Sequence, residues 1–243
     1  MLKKILENNL VNLKPSEIDR YIYRIMPIHR LFEIFKSHEI SLVSPEKWDD
    51  PFENLIIKNE IEKARNYFLN SNPTEEGVFN VFYSHKVAAQ CWTLHKETDA
   101  MWRIYSQDTQ GVKVKCSIRN LLKSLLESNP ESVSNFLFLG KVKYLTKTNV
   151  LSFLQSNLYG ITGLDSAKTL LIKRKEFKHE SEVRLIYTYG NQKIKKLKID
   201  PFDVFDEIVF DPRLNSNIYN AFSKSVIEAG FRKKVTKSLM YQL

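Results

Sequence analysis

The segment Phe177-Lys-His-Glu-Ser-Glu-Val-Arg-Leu-Ile-Tyr-Thr-Tyr189 carries the strongest structural signal in the sequence. Its β-branched and aromatic residues, which end before a Gly-Asn pair, predict a β-strand. Side chains alternate between the two faces of a strand, so Glu180, Glu182 and Arg184 share one face. We therefore expect a row of two acids and one base on one side of a sheet.

This row has two readings. Antiparallel sheets often have one solvated face, on which a Glu-x-Glu-x-Arg pattern would form only weak ion pairs. Charges are expensive to bury, however, and a strand can instead place a carboxylate and the groups that tune it in a cleft. The second reading predicts a functional site around Glu182.

The composition is that of a globular protein with an ample hydrophobic core. The chain has 243 residues, of which 43% are hydrophobic and 27% charged, which suits one sizeable domain or two small ones. Glycine occurs only 7 times, and the sequence contains neither G-x-x-x-x-G-K-[ST] nor G-x-G-x-x-G. These features argue against a Walker-type NTPase and an ordinary Rossmann dehydrogenase.

Neither cysteine nor histidine is arranged as a metal site. Cys91 and Cys116 form no C-x-x-C motif, and the 5 histidines form no H-E-x-x-H motif. We predict no metal ligands, and we expect Cys91, on an apolar strand, to be unreactive.

Positive charge is concentrated in one part of the chain. The formal net charge is +9, and residues 171–198 contain nine Lys and Arg against three Glu. Such a stretch favours an anionic partner, which could be a dinucleotide, RNA or DNA. The alternative is an ordinary solvated basic face.

The hydrophobic patterns predict an α+β domain in which helices separate short strands. Residues 1–19 are expected to form a short helical extension and residues 20–243 a single domain. Strands are predicted at 21–25, 39–44, 88–93, 111–116, 141–145, 177–189, 195–199 and 205–210. Helices are predicted at 28–37, 54–80, 99–105, 121–126, 150–172 and 216–229. The amino-terminal residues contain no continuous apolar segment, so we expect a cytoplasmic protein without membrane contact.

Three blocks of sequence, taken in order, resemble a known bacterial family. The first is Tyr21-Ile-Tyr-Arg24 followed by Ile40-Ser-Leu-Val-Ser-Pro45 and Asp49-Asp-Pro-Phe-Glu53. The second combines Cys91-Trp92, Met101-Trp102, Tyr105 and Gly111-Val112, and the third combines Lys173, Phe177, Glu180-Ser-Glu182, Arg184 and Asp206-Glu207-Ile208. Their order resembles the family catalogued as domain of unknown function 2971, over most of the chain. Asp49 departs from that family's usual Asn, and Ile25 stands near its second aromatic position.

The same residues resemble a diverged ADP-ribosyltransferase fold, whose signature is a basic residue, then Ser or Tyr, then a late Glu-x-Glu. This resemblance implies a small mixed, mainly antiparallel sheet, flanked by helices and split around a cleft that binds NAD as a substrate. It implies Glu182, Glu180 and Arg24 as catalytic residues. The residues implied to contact NAD are Arg24, Ser41, Ser44, Asp50, Trp102, Tyr105 and Arg184.

The roles that the resemblance implies follow the chemistry of cleaving the nicotinamide–ribose bond. Glu182 would stabilise the oxocarbenium-like state, and Glu180 would orient or deprotonate the acceptor. Arg24 would bind a phosphate or ribose, and Trp102 or Tyr105 would stack on a ring. Each residue also has a structural reading, as a cross-strand ion pair, a strand end, a turn or a core aromatic.

The acceptor could be a protein or a nucleic acid, and the enzyme could act as a toxin or in defence against phage. One alternative is a metal-dependent nuclease, since Glu176-Phe-Lys178 has E-x-K spacing and Asp49 or Asp50 could supply an upstream acid. A second alternative is a non-catalytic module that binds nucleic acid through residues 171–198. The sequence leaves the acceptor and the oligomeric state open.

Overall fold

A computed structural model describes residues 8–45, 48, 87–156, 163–189 and 193–242. The predicted helix at 54–80 and the Asp49 and Asp50 positions lie outside these residues. Within them, none of the helices is long and apolar enough to span a membrane.

Twelve strands and eight α-helices are found in the described residues. The strands are β1 (Leu10–Val11), β2 (Tyr21–Pro27), β3 (Glu39–Val43), β4 (Ala88–Thr93), β5 (Gly111–Ser117), β6 (Leu137–Lys141), β7 (Lys143–Leu145), β8 (Ile172–Arg174), β9 (Glu182–Tyr187), β10 (Ile194–Lys198), β11 (Glu207–Phe210) and β12 (Lys234–Lys237). The helices are α1 (Ile28–Ser37), α2 (Asp99–Tyr105), α3 (Ile118–Ser128), α4 (Glu131–Ser134), α5 (Lys147–Ser156), α6 (Gly163–Thr169), α7 (Pro201–Val204) and α8 (Ser216–Glu228). Short 3-10 helices occupy Pro15–Glu17 and Lys175–Glu180.

Ten of these strands form one mainly antiparallel sheet, and β7 and β8 form a separate parallel pair. The main order is β1-β6-β9-β4-β2-β5-β11-β12, with β10 paired to β3 and β3 to β4. The predicted α+β class, with a mainly antiparallel sheet flanked by helices, is confirmed. The sheet is larger than expected, because β6 and β12 extend it beyond the predicted strands.

The sheet splits at β4. One edge of β4 pairs with β9 along its whole length, from Ala88 to Thr93. The other edge is shared, since Thr93 pairs with Tyr23 of β2 whereas Ala89 pairs with Val43 of β3. β2 and β3 therefore separate along β4, and the gap between them is the place where the predicted cleft opens.

Apolar side chains on both faces hold this sheet in place. Val183, Leu185 and Tyr187 of β9 point into the larger core, which α1, α3 and α8 cover, whereas Ile186 joins a smaller core that includes Leu171. The alternation predicted for the 177–189 segment thus holds from Glu182 onward. Before Glu182 the chain is a 3-10 helix, so the strand begins later than predicted.

The described part of the amino-terminal extension contains a short strand and the 3-10 helix at Pro15–Glu17, and residues 1–7 of the predicted helical extension lie outside the described residues. Leu10 and Val11 form a strand that pairs in parallel with Leu139 and Gly140 of β6. Asn9 also donates a hydrogen bond from Nδ2 to the Ser134 carbonyl at 2.9 Å. This pairing buries Val11 against the smaller core.

Candidate active site

A cavity of about 190 Å³ lies at the split in the sheet. Its walls come from β2, β3, β4, α2 and the start of β9, which are distant in sequence. Five of the residues predicted for catalysis or NAD contact line it: Arg24, Ser41, Tyr105, Glu180 and Glu182. The remaining lining residues are Tyr23, Ile25, Val43, Trp48, Ala89, Gln90, Cys91, Trp92, Thr93 and Met101.

Glu182 is the first residue of β9, and its carboxylate is held by two cations. Arg184 Nη2 donates to Glu182 Oε2 at 2.8 Å, and Lys173 Nζ lies 3.5 Å from the same oxygen. The backbone N–H of Glu182 donates to the Tyr144 hydroxyl at 2.8 Å. Burial alone would raise the pKa of Glu182, but Arg184 and Lys173 outweigh it and the pKa is lowered. Glu182 is thus a fixed, ionised carboxylate in the cavity wall.

Glu180 ends the preceding 3-10 helix and has a different environment. Lys173 Nζ donates to Glu180 Oε2 at 2.6 Å, and the residue is 7% exposed. Burial raises the pKa of Glu180 above its usual value, although the Lys173 ammonium opposes that shift. The pKa values of Glu180 and Glu182 are therefore pushed in opposite directions. Paired carboxylates tuned apart in this way commonly take separate acid–base roles.

Ser181 brings the two carboxylates to the same cavity. Its backbone is left-handed, with a φ of 44°, which costs a non-glycine residue roughly 1–2 kcal/mol. Two hydrogen bonds hold this turn, from Thr93 Oγ1 to the Glu180 carbonyl at 2.6 Å and from the Leu94 N–H to the Ser181 carbonyl at 3.0 Å. Strained backbone of this kind is concentrated at functional sites.

Arg24 crosses the gap between β2 and β4. Its Nη1 donates to the Cys91 carbonyl at 2.6 Å, and burial lowers the pKa of the guanidinium. Among the residues that the structure describes, no carboxylate lies within ion-pair distance of Arg24. The guanidinium thus anchors a backbone oxygen and also presents positive charge to the cavity.

Cys91 is a neutral part of the wall, as the sequence predicts. Its thiol forms a hydrogen bond with Glu182, and burial raises the thiol pKa well above its usual value. A protonated, buried thiol is a poor nucleophile.

A larger cavity of about 830 Å³ adjoins the first and shares Arg24, Ser41 and Tyr105 with it. This outer groove runs between α1 on one side and the β3–β10 pair on the other. Its charged lining residues are Arg30, Glu33, Lys36, Glu39 and Lys196. Its volume is within the usual range of about 300–1,000 Å³ for small-molecule sites. Together the two cavities form a cleft with an acidic inner end and a mixed, partly cationic outer end.

Three of the predicted NAD contacts do not reach either cavity. The stacking role predicted for Trp102 is wrong, because its side chain is fully buried and its Nε1 donates to Glu97 Oε1 at 2.7 Å. Direct contact by Arg184 is also wrong, because the residue is 1% exposed and its Nη1 donates to the Leu170 carbonyl at 2.7 Å. Ser44 lies beyond the cavity wall, where its N–H donates to the Lys193 carbonyl at 3.0 Å. Asp50 lies outside the described residues.

Several supporting residues were not predicted. Tyr144 lies in the predicted strand at 141–145 and Lys173 in the third family block, but the sequence did not predict that β7 and β8 pair and bring both residues to the site. Gln90 spans the split, since its Nε2 donates to the Ser41 carbonyl at 3.0 Å and its Oε1 accepts from Trp92 Nε1 at 3.0 Å. Trp48 lies over the Arg184 guanidinium at 4.4 Å. The local pattern that could have predicted this part of the cavity wall is a polar residue two positions before an aromatic on the same strand, as in Gln90-Cys-Trp92.

Burial rules out the solvated-face reading of the Glu-x-Glu-x-Arg row. Glu182 is 4% exposed and Arg184 is 1% exposed, so the pair belongs to the interior. The nuclease motif has the opposite character, because Glu176 and Lys178 are both exposed on the 3-10 helix. Within the described residues, no group of three or more His, Cys, Asp or Glu is placed to hold a metal ion.

The basic stretch 171–198 is only partly a surface. Lys173 and Arg184 are buried in ion pairs, so they contribute no exposed charge. The exposed cations of the stretch are Lys175, Lys178, Lys193, Lys196 and Lys198. The surface charge is therefore smaller than the sequence count indicates.

Residues 101–185 match the family model described as "Protein of unknown function (DUF2971)", which confirms the resemblance to that family. The matched region includes α2, the β7–β8 pair and the Glu180–Arg184 segment. A search of curated proteins finds no match.

Three solved structures of DarT from Thermus sp. 2.9 are similar to this chain. The complexes with NAD+ and with carba-NAD+ share 11% identity, with TM-scores of 0.41 and 0.40, and each comparison covers 90% of this chain and 96% of the other. The complex with ADP-ribosylated single-stranded DNA shares 14% identity with a TM-score of 0.38, covering 90% and 94% of the two chains. The molecules bound in these structures are those of DarT.

Proposed function

We propose that this protein is an ADP-ribosyltransferase-like enzyme that uses NAD as a substrate and modifies a protein or nucleic-acid target. The observation that carries the proposal is the inner cavity. Two buried carboxylates with oppositely shifted pKa values and one guanidinium face the same small space, next to a groove large enough for the rest of a dinucleotide.

The inner cavity suits the bond-breaking step. As the bond between the nicotinamide nitrogen and ribose C1′ breaks, its electron pair leaves with neutral nicotinamide and positive charge develops on the sugar. Glu182, ionised and held by Arg184 and Lys173, stabilises that charge without reorganising. The acceptor then forms a bond to C1′, and its proton passes to Glu180.

The outer groove suits the remainder of NAD. Arg24 lies at the junction of the two cavities, where it can bind a phosphate, and Lys36 and Lys196 add positive charge along the groove. Tyr105 lines both cavities and is 41% exposed, so its ring is the aromatic surface available for stacking. In this proposal nicotinamide binds at the acidic end and adenosine binds toward α1 and β10.

The acceptor class rests on charge. The exposed lysines of the 171–198 stretch favour an anionic acceptor, and a nucleic acid satisfies this better than an average protein surface. A role as a toxin or in phage defence stays a prediction, as does a cytoplasmic location.

The test is turnover of labelled NAD by wild-type protein and by Glu182→Gln, alone and with single-stranded DNA, RNA or cell lysate. We expect nicotinamide release or label transfer that the substitution abolishes. Glu176→Gln is the matched control, because Glu176 precedes the same strand but is exposed and lines neither cavity. Thermal unfolding of each variant shows whether any lost activity reflects a lost fold.

The other outcomes separate the alternatives. Absence of turnover with every acceptor, together with no protection by NAD against thermal unfolding, would refute the transferase proposal. Nucleic-acid cleavage that EDTA abolishes, and that Glu176→Gln removes, would indicate the nuclease instead. Salt-sensitive nucleic-acid binding that survives Glu182→Gln would indicate a non-catalytic binding module.

A further inference from the structure

Lys173 lies between the two carboxylates of the site. Its ammonium nitrogen is 2.6 Å from Glu180 Oε2 and 3.5 Å from Glu182 Oε2, and its side chain is 9% exposed. Burying a lysine costs free energy unless its ammonium is paired with an opposite charge, because the ammonium loses its hydration. The contacts show that the Lys173 ammonium is paired with both carboxylates, and most closely with that of Glu180.

The β7–β8 pair fixes the position of this ammonium. Lys173 is opposite Tyr144 in the parallel register, and the Tyr144 hydroxyl accepts the N–H of Glu182. The Lys173 ammonium also lies 4.7 Å from the centre of the Phe177 ring. One small two-stranded unit thus supports Glu182 through Tyr144 and Glu180 through Lys173.

Arg184 pairs most closely with Glu182, whereas Lys173 pairs most closely with Glu180. Arg184 forms a 2.8 Å hydrogen bond to Glu182 and lies deeper in the protein. Besides Lys173, the groups that act on the charge of Glu180 are Glu182 on β9, His179 on the 3-10 helix, Tyr105 on α2 and Tyr144 on β7. Of these, Glu182 favours protonation of Glu180, whereas Lys173 favours its ionised form.

We propose that Lys173 is the positioning residue for Glu180, and that its ammonium keeps this carboxylate charged, directed into the cavity and separate from Glu182. The catalytic consequence rests on the proposed function, since a charged Glu180 is what accepts a proton from the acceptor. Lys173 acts through Glu180 and needs no contact with substrate.

Carboxyl-carbon NMR of glutamate-labelled protein tests the electrostatic part without any activity. The Glu180 resonance is assigned by its loss in Glu180→Gln. An opposite charge at this distance lowers a carboxyl pKa by about 1–3 units, so Lys173→Met should raise the Glu180 pKa by that amount while Lys173→Arg retains most of the shift. An unchanged Glu180 pKa in folded Lys173→Met would overturn the proposal.

A second measurement does not depend on the folding of Lys173→Met. In wild-type protein the side-chain nitrogen resonance of Lys173 should titrate with the Glu180 pKa, and this inflection should vanish in Glu180→Gln. A Lys173 resonance that ignores Glu180 protonation would overturn the proposal as directly.

Activity then connects the two proposals and keeps their failures distinct. If wild-type protein turns over NAD, Lys173→Met should move the acidic limb of the pH–rate profile for transfer upward by about 1–3 units, and Lys173→Arg should restore it. Failure of the transferase proposal appears as absent turnover in wild type, whereas failure of the Lys173 proposal appears in the NMR titrations.

Discussion

Replacing Arg184 by methionine tests whether the buried carboxylate of Glu182 depends on its cation. The guanidinium donates one hydrogen bond to Glu182 at 2.8 Å and another to the Leu170 carbonyl at 2.7 Å, and it stacks against Trp48. Methionine preserves much of the packing volume but removes both donors. Of the two cations that hold the Glu182 carboxylate in the described residues, Lys173 would then remain, at 3.5 Å, and it is shared with Glu180.

The expected loss in the free energy of unfolding follows from the burial of both Arg184 and Glu182. Removing one member of a buried ion pair typically costs about 3–5 kcal/mol, because the other charge stays desolvated. Arg103→Met is the matched control, since Arg103 pairs with Asp99 at 2.8 Å but the two side chains are 63% and 50% exposed. Exposed pairs of this kind contribute about 0–1 kcal/mol, so the two arginines should differ severalfold.

The stability lost in Arg184→Met should depend on pH with a definite sign. In wild type the folded-state pKa of Glu182 is lowered, so its ionised form stabilises the fold at neutral pH, and this contribution is lost as the pH falls through the folded pKa. Without Arg184, burial should raise that pKa above its usual value, so the ionised form destabilises the fold. The deficit of Arg184→Met should therefore shrink as the pH is lowered from about 7 to about 5.

Denaturant unfolding at both pH values measures these quantities directly. Adding Glu182→Gln to Arg184→Met should recover much of the lost stability, because no unpaired charge then remains. A loss below about 1 kcal/mol at neutral pH, equal to that of Arg103→Met, would show that the pair is not buried in solution. A deficit that does not change with pH would show that Glu182 is not the group left uncompensated.

Two further changes probe the groove and the support of the site. Lys196→Glu should raise the KM for NAD in steady-state turnover by about tenfold, which corresponds to 1.4 kcal/mol, whereas Lys198→Glu on the same strand should not, because only Lys196 lines the groove. Gly140→Ala should lower the stability measured by denaturant by about 1–3 kcal/mol, because a Cβ there would lie 2.2 Å from Leu171 Cδ1, next to the strand that carries Lys173. An unchanged KM for Lys196→Glu, or an unchanged unfolding midpoint for Gly140→Ala, would contradict the respective expectation.

The sequence predicted the positions of those site residues that follow from the alternation of side chains along a strand. Alternation put Glu182 and Arg184 on one face, and the structure places them there with a direct hydrogen bond. The sequence also placed Arg24 and Ser41 on strands β2 and β3, which now border the split. In these cases the periodicity of a strand was enough, because each residue lies on an element with a clear hydrophobic pattern.

The missed parts depend on long-range pairing that no local pattern carries. β7 lies within the predicted strand at 141–145, but β8 is only three residues long, too short for a hydrophobic period, and α5 and α6 separate it from β7. Lys173 was therefore counted with the basic stretch and in the third family block, with no role at the site. Trp102 was one of the two aromatics expected to stack on NAD, but the helix turns Met101 and Tyr105 toward the cavity and Trp102 into the core.

Some of the polar residues at the split in the sheet stabilise the fold, and others are not needed for it. β4 leaves backbone groups without strand partners where β2 and β3 diverge, and Arg24 and Gln90 bridge that gap by hydrogen bonds to the Cys91 and Ser41 carbonyls. These residues would persist in an inactive relative. Within the described residues, Lys173 forms ion pairs with Glu180 and Glu182, and a well-packed apolar pair in place of Glu180 and Lys173 would often be neutral or stabilising. Two buried charges are retained beside a cavity, and Glu180 directly precedes the left-handed residue Ser181, which itself costs stability; this arrangement supports the catalytic role proposed for Glu180.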